Sequence, residues 1–307
     1  METFSDIQLF ALIVKRGNMA AAAQELGVTP PVITRRLANL EKRLGVRLMN
    51  RTTRKISLTP EGEDYLMEGV RILEQMTALE ERLGGARKQP QGTVRIAATL
   101  GFGRTHIAPA LSKFIDRNPK VEVQLHLSDK SVNLVDQGFD LMVRFGELSD
   151  SRLTARLLAH NSRIICAAPT YLRRNSMPTH PRDLGQHNCI FIREGDETFG
   201  TWHLRSGTDT ESIKVRSNLS TNDGTSALGW ALDAQGILVR SQWEIGKSLK
   251  QKKLIPVLTD WHLPSADVYL VFQSSKQMPA KLRVLVDFLL DEFKSHRSKT
   301  KEIYGTW

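Results

Sequence analysis

The first 59 residues carry ten Lys and Arg (Lys15, Arg16, Arg35, Arg36, Lys42, Arg43, Arg47, Arg51, Arg54 and Lys55) against four acids, a net charge of +6. Guanidinium and ammonium groups at that density neutralise a polyanion. Residues 60–86 reverse the sign, with two basic residues and seven acids, a net of −5. A second set of chemically apt residues lies downstream. Thr99 and the glycines Gly101 and Gly103 follow the apolar run "TVRIAA", Arg144 ends "DLMVR", and Asn222-Asp223-Gly224 precede "TSALGWALDAQG". In open α/β folds ligands sit beyond the carboxyl ends of strands, often at helix N-termini. Thr99 with the N–H groups after it suits a carboxylate, and Arg144 suits its countercharge. The alternative for Arg144 is a salt bridge to Glu147 or Asp150. Arg240 ends a further apolar run, "GILVR", as a candidate second cation at such a site.

Other chemistry is thin. There is no nucleophile–base constellation, no Walker sequence and no HExxH, and Gly101 and Gly103 lack the third dinucleotide-binding glycine. The eight histidines show no metal spacing, so neither metal nor cofactor is expected. Two cysteines, Cys166 and Cys189, are too few for a disulfide framework and fall in apolar runs that read as core. No apolar stretch is long enough to span a membrane, and "METFSDIQLF" lacks the layout of a signal peptide. These features predict a cytoplasmic, non-enzymatic protein.

"TPPVITRRLANLEKRLG" places Ile33, Leu37, Leu40 and Leu44 on one helical face, yet starts with two prolines. The first N–H groups of a helix have no intrahelical partner, so Pro30 and Pro31 fit its first turn with Thr29 as N-cap. Upstream, Asn18 caps a short alanine-rich helix, Gly27 supplies a left-handed turn and Val28 is expected to plug into the core. A preceding helix would pack Phe4, Ile7, Phe10 and Val14 inward. Helix, turn and capped second helix form a helix-turn-helix, whose second helix enters the DNA major groove by its N-terminus. Pro30, Pro31, Thr34 and Arg35 then face outward, with Arg36 beside them and Ala38 and Asn39 at the margin. Arg35 can fork onto guanine or hold a phosphate. "RTTRKISLT" adds a hairpin wing, in which Arg51, Thr53, Arg54 and Lys55, with Thr52, suit phosphates or the minor groove.

The stretch "AAAAQELGVTPPVITRRLANLEKRLGVRLMNRTTRKISLTPEGEDYL" closely resembles the DNA-binding domain of the LysR-type transcriptional regulators. "RTTRKISLT" is similar to the branch that includes many regulators of organic-acid and small-aromatic metabolism. One departure is the pair Pro30 and Pro31, where most members have a polar or small residue. It shifts base contact toward Thr34 and Arg35.

A helix from Pro60 to about Ala86 carries Leu66, Val70, Leu73, Met76, Leu79 and Leu83 at three- and four-residue spacing, a stripe that wants a partner helix. The resemblance implies dimerisation through it. Beyond a hinge at 87–92, short apolar runs alternate with helical stretches, an α/β pattern. The expected architecture is therefore α/β overall: a winged helix-turn-helix (1–59), a linker helix (60–86), then an effector domain (93–299) and a tail (300–307). The resemblance implies two periplasmic-binding-protein-like subdomains, 93–162 with 266–296 and 163–265, around a ligand cleft. It also places Phe102, Gly103, Gly236 and Ile237 with Thr99, Arg144 and Asn222 at the effector. The implied partners are double-stranded DNA with a dyad-symmetric promoter site, an anionic small-molecule effector, RNA polymerase, and further copies of the chain as a homodimer or dimer of dimers. The implied output is transcription regulation, with activation as its sign. A constitutive regulator with a vestigial cleft, or an enzyme fused to a DNA-binding head, are the rival readings.

Overall fold

The computed structural model describes residues 6–51, 56–83, 90–128, 132–134, 137–146, 152–193, 200–274 and 278–297. Phe4, Thr52, Thr53, Arg54, Lys55, Glu147, Asp150, residues 84–86 at the expected end of the linker helix, residues 87–89 of the hinge and the tail lie outside the described residues, and the side chain of Arg51 is likewise not described. The chain forms two compact units, Met1–Gln89 and Pro90–Trp307.

The first unit holds α1 (Asp6–Arg16), α2 (Met19–Glu25), α3 (Pro30–Leu44), the antiparallel strands β1 (Met49–Arg51) and β2 (Ile56–Leu58), and α4 (Pro60–Leu83). Asn18 caps α2 by accepting from the Ala21 N–H at 2.6 Å, and Gly27 turns the chain with φ +64°. The core is Leu9, Phe10, Ile13, Ala22, Ala23, Ile33, Leu37, Leu40, Leu48 and Met49. Two residues expected inward are not there. Val28 is 37% exposed: the turn needs its backbone N–H, which donates to the Ala23 carbonyl, and turns the side chain out. Leu44 is 39% exposed, because Leu48 and Met49, returning from the turn at Gly45, fill the layer after Leu40. Helix α1 buries Leu9, Phe10 and Ile13, whereas Ile7 and Val14 are only half-buried.

Helix α4 starts as its sequence dictates. The Thr59 hydroxyl accepts from the Gly62 N–H at 3.0 Å and donates to the Arg47 carbonyl at 2.7 Å. A Cβ at Gly62 would lie 2.0 Å from the Leu48 carbonyl oxygen, so only glycine lets the helix sit this close to the wing. Tyr65 meets the Phe10 ring edge-on at 5.5 Å, and Ile7 covers Gly69. Farther along, Ile72 and Met76 are about half exposed.

The second unit has two five-stranded sheets. The first contains β3 (Gly92–Thr99), β4 (Val121–Ser128), β5 (Leu141–Phe145), β6 (Leu153–Ala159) and the late strand β14 (Val268–Gln273), in the order β4-β3-β5-β14-β6. Between β3 and β4 runs a helical segment: α5 (Leu100–Phe102), a π-helical stretch (Gly103–Ile107) and α6 (Ala108–Arg117). The second sheet contains β7 (Arg163–Ala167), β8 (Cys189–Ile192), β11 (Ser220–Thr221), β12 (Ile237–Ser241) and β13 (Ile255–Pro256), in the order β11-β8-β12-β7-β13. Around it lie α7 (Pro169–Asn175), the hairpin β9 (Thr201–Ser206) and β10 (Asp209–Lys214), α8 (Gly224–Leu232) and α9 (Gln242–Lys250). Strand β14 (Val268–Gln273) then returns to the first sheet, and α10 (Ala280–Glu292) covers it.

Two crossings therefore join the lobes, after β6 and before β14, and they are tied together. The Asp267 carboxylate accepts the Asn161 N–H at 2.8 Å and lies 3.0 Å from His160 Nδ1. The buried Asn161 amide donates to the Ala266 carbonyl at 2.9 Å and to Ser241 Oγ at 3.2 Å. Each lobe has its own apolar core. Cys166 and Cys189 are fully buried in the second, where burial pushes both thiols up to about 12. They are packing residues at neutral pH.

Candidate nucleic-acid interface and ligand cleft

In the first unit the apolar stripe of α3 faces the core, which leaves Pro30, Pro31, Thr34 and Arg35 exposed at its N-terminal end. Thr29 has the extended backbone of an N-cap but makes no side-chain cap bond. The prolines at the first two positions have no N–H to offer, and the Val32 N–H goes to the Thr29 carbonyl at 3.0 Å. The Thr29 hydroxyl is left at the helix tip. The Thr34 hydroxyl donates back to the Pro30 carbonyl at 3.1 Å, turning its methyl and lone pairs to the surface. Arg35 has no ion-pair partner among the described residues.

Arg36 departs from expectation. Its guanidinium turns to α1, 3.4 Å from Asp6, whose other oxygen takes Arg43 at 2.6 Å. One residue before the buried Leu37, Arg36 sits on the flank of the stripe and braces α3 against α1 instead of facing a ligand. Sequence reasoning also passed over Glu41. Its carboxylate accepts the N–H groups of Leu48 and Met49 at 2.9 and 3.3 Å, fixing where the wing leaves α3. The short spacing from Glu41 to the wing was the signal available.

In the second unit the parallel strands of both sheets aim their carboxyl ends at one cavity of about 600 Å³. Thr99, Ser128 and Arg144 end β3, β4 and β5, while Arg193, Asn222 and Arg240 end or follow β8, β11 and β12. Arg163 reaches the same edge because β7 is antiparallel to β12. Thr99 is the N-cap of the helical segment that follows, with a hydroxyl that makes no cap bond. The first N–H groups of that segment therefore open on the cavity. Arg144 makes one long contact, 3.4 Å to the Phe145 carbonyl, and no carboxylate among the described residues pairs with it.

Arg240 is held differently. It forms a buried ion pair with Glu244 in the first turn of α9, the two side chains being 13% and 10% exposed. Burial pushes the Glu244 carboxyl above its ordinary range, and the Arg240 charge opposes that shift. The guanidinium lies on the backbone of Gly224, where an added Cβ would come within 1.5 Å of its Nη2. Trp243, next along α9, packs edge-on against Phe102 at 5.3 Å and inserts into the core of the first lobe. Beside this pair, Arg104 of the first lobe donates to Thr225 Oγ1 of the second at 2.9 Å. Burial alone would raise the adjacent Asp223 carboxyl. Hydrogen bonds from Ser226 and Thr225, with the Arg104 charge, hold it below its usual range.

Of the other expected ligand residues, Phe102 lines the cavity and three lie elsewhere. The Phe102 ring is fully buried among Phe145, Trp243 and Phe293 and forms part of the cavity wall. Gly103 is packed against the sheet, its missing Cβ 2.3 Å from Leu127. Gly236 and Ile237 are buried at the amino end of β12, whereas the cavity lies at its carboxyl end. Conversely, Arg163 and Arg193 were missed. Arg193 follows an apolar strand run, so the strand-end rule that selected Arg144 selects it too, whereas Arg163 begins β7 and reaches the cleft only through the antiparallel pairing with β12.

A helix-turn-helix head with a wing, followed by a two-lobed α/β domain with a cleft, defines a ligand-responsive DNA-binding regulator. Residues 4–63 match the family described as "Bacterial regulatory helix-turn-helix protein, lysR family", and residues 87–294 match "LysR substrate binding domain". The chain is 38% identical over 292 residues to the HTH-type transcriptional regulator DmlR of Escherichia coli strain K12, covering 95% of each. It is 36% identical over 299 residues to the HTH-type transcriptional activator TtdR of the same strain, covering 97% of this chain and 96% of TtdR. Among solved structures, CrgA, a LysR-type transcriptional regulator from Neisseria meningitidis, superposes with a TM-score of 0.60 at 30% identity, covering 95% of this chain and 99% of that one. The chain belongs to the LysR family of transcriptional regulators and is a DNA-binding regulator that responds to an effector. No helix among the described residues is long and apolar enough to cross a membrane.

Proposed function

We propose that this regulator works in the cytoplasm and reads a dyad-symmetric promoter site through the exposed tip of α3. Arg35 and Thr34 make base contacts there, and Thr29, Pro30 and Pro31 fit against the groove. The wing residues Arg51, Thr53, Arg54 and Lys55 hold phosphate or the minor groove. Copies of the chain pair through the apolar stripe of α4, so that two α3 helices lie about one helical turn of DNA, roughly 34 Å, apart. A dimer of dimers occupies the full site. Activation, the role in the TtdR name, is the sign of regulation we carry over, acting through RNA polymerase.

The effector in this reading is a small organic anion, an aliphatic or aromatic acid, seated in the cleft. Thr99 and the helix N–H groups donate to its carboxylate, Arg144 supplies the countercharge, and Asn222 closes from the other lobe. The observation that carries the reading is the lining itself: among the described residues it holds four arginines and no aspartate or glutamate. The protein binds its ligand without turning it over.

The test is a thermal shift of the full-length protein with a panel of aliphatic and aromatic acids. A ligand at a hundred times its Kd stabilises by about 2.7 kcal/mol. The expected result is a hit that Arg144→Gln abolishes while leaving DNA binding intact. A hit that survives Arg144→Gln would place the ligand elsewhere.

A further inference from the structure

The cleft chemistry goes further than one carboxylate. We infer that the effector carries two separate anionic groups, one held by each lobe. The inference rests on the reading of the cleft as the effector site. Of the four arginines lining it, Arg240 is already neutralised by Glu244. Among the described residues, Arg144, Arg163 and Arg193 have no carboxylate partner and none of those lining the cleft is acidic. Arg144 stands on the first lobe, and Arg163 and Arg193 on the second.

Like charges facing each other across a narrow cleft with low-dielectric walls oppose its closing. A ligand with a single charge sits on one wall and leaves the other uncompensated. A ligand with two charges, spaced to reach both walls, removes the repulsion and draws the lobes together. It therefore binds the closed arrangement better than the open one, which any effector must do to shift the equilibrium between them. The Arg240–Glu244 pair completes the device. It clamps the carboxyl edge of β12 to α9, and α9 carries Trp243 into the first lobe, so the second wall keeps its place relative to the hinge.

The experiment is calorimetric titration of the full-length protein with malonate, succinate, glutarate, adipate and phthalate. Each is paired with its monomethyl ester, and inorganic phosphate is included as a dianion on a single group. Wild type, Arg144→Gln and Arg193→Gln are compared. The expected result is that at least one diacid binds tenfold or more tighter than its own half-ester, and that either substitution narrows this ratio to under threefold. If half-esters bind as tightly as diacids while Arg144→Gln still weakens both, the two-charge inference fails and the cleft reading stands. Phosphate binding more tightly than every diacid would also overturn it, in favour of a single phosphate-type group. If no titrant binds, or binding ignores Arg144→Gln, the cleft reading fails and takes the inference with it.

Discussion

Gly224→Ala should damage this protein far more than one methyl group ordinarily does. The added Cβ would sit 1.5 Å from Arg240 Nη2 and 2.1 Å from its central carbon, whereas ordinary contact begins near 3.4 Å. The guanidinium must retreat by about 2 Å, enough to break its ion pair with Glu244. A flexible arginine on a surface would yield at little cost, but this one is 13% exposed and its carboxylate partner 10%. Breaking a buried pair strands the other charge, which costs about 3 kcal/mol or more. The pH dependence has a defined sign. Burial already raises the Glu244 carboxyl above its ordinary value of 4.5, and losing Arg240 raises it further. A carboxyl with a raised folded-state pKa favours folding below its unfolded value and loses that contribution as pH rises through the folded one. The deficit of Gly224→Ala should therefore be greatest at neutral pH and shrink towards pH 4.5. Denaturant unfolding of full-length protein at several pH values measures it. In an Arg240→Leu, Glu244→Leu background the alanine should cost under about 1 kcal/mol. A Gly224→Ala protein as stable as wild type at pH 7, or one equally impaired in the double-leucine background, would refute the reasoning.

Gly62→Ala pushes a Cβ to within 2.0 Å of a main-chain oxygen that has no rotamer to change; overpacking of this kind costs about 1–3 kcal/mol, and unfolding of the full chain should show it. Arg35→Ala should relax preference at one base position in sequences selected from a random pool, whereas Arg36→Ala, which removes a brace to Asp6, should leave the selected sequence unchanged and lower the stability of the head. Burial, aided by the His296 charge, pushes His106 from 6.5 down to about 4, so its neutral form supports the fold above pH 6.5 and that support is lost as pH falls towards 4. His106→Phe should flatten that part of the stability–pH curve, as followed by thermal melts.

Helix periodicity, capping residues and prolines were readable along the head because each acts within one turn of the chain. Asn18, Gly27, Thr59 and the Pro30–Pro31 start all do locally what their types dictate. Val28 and Leu44 misled because periodicity reports a face and not how far the core extends, and the layer after Leu40 was filled from the wing. Arg36 needed knowledge of Asp6 thirty residues earlier, a pairing that spacing alone does not encode. In the second unit, strands were visible as apolar runs, but which ends converge depends on sheet order. Thr99 and Arg144 were found from strand ends. Arg163 was not, since only the antiparallel pairing of β7 with β12 brings its amino end to the cleft. Gly236 and Ile237 show the converse: they stand at the start of β12, and the cleft lies at its other end.

The most direct measurement is fluorescence anisotropy of the full-length protein on DNA selected by it from a random pool, titrated with the diacid that stabilises it best, for wild type and Arg144→Gln. The account predicts that both proteins bind the DNA alike without ligand, and that the diacid shifts affinity or footprint for wild type only. A diacid response of equal size in Arg144→Gln, or a wild-type complex indifferent to every ligand that binds the protein, would contradict it.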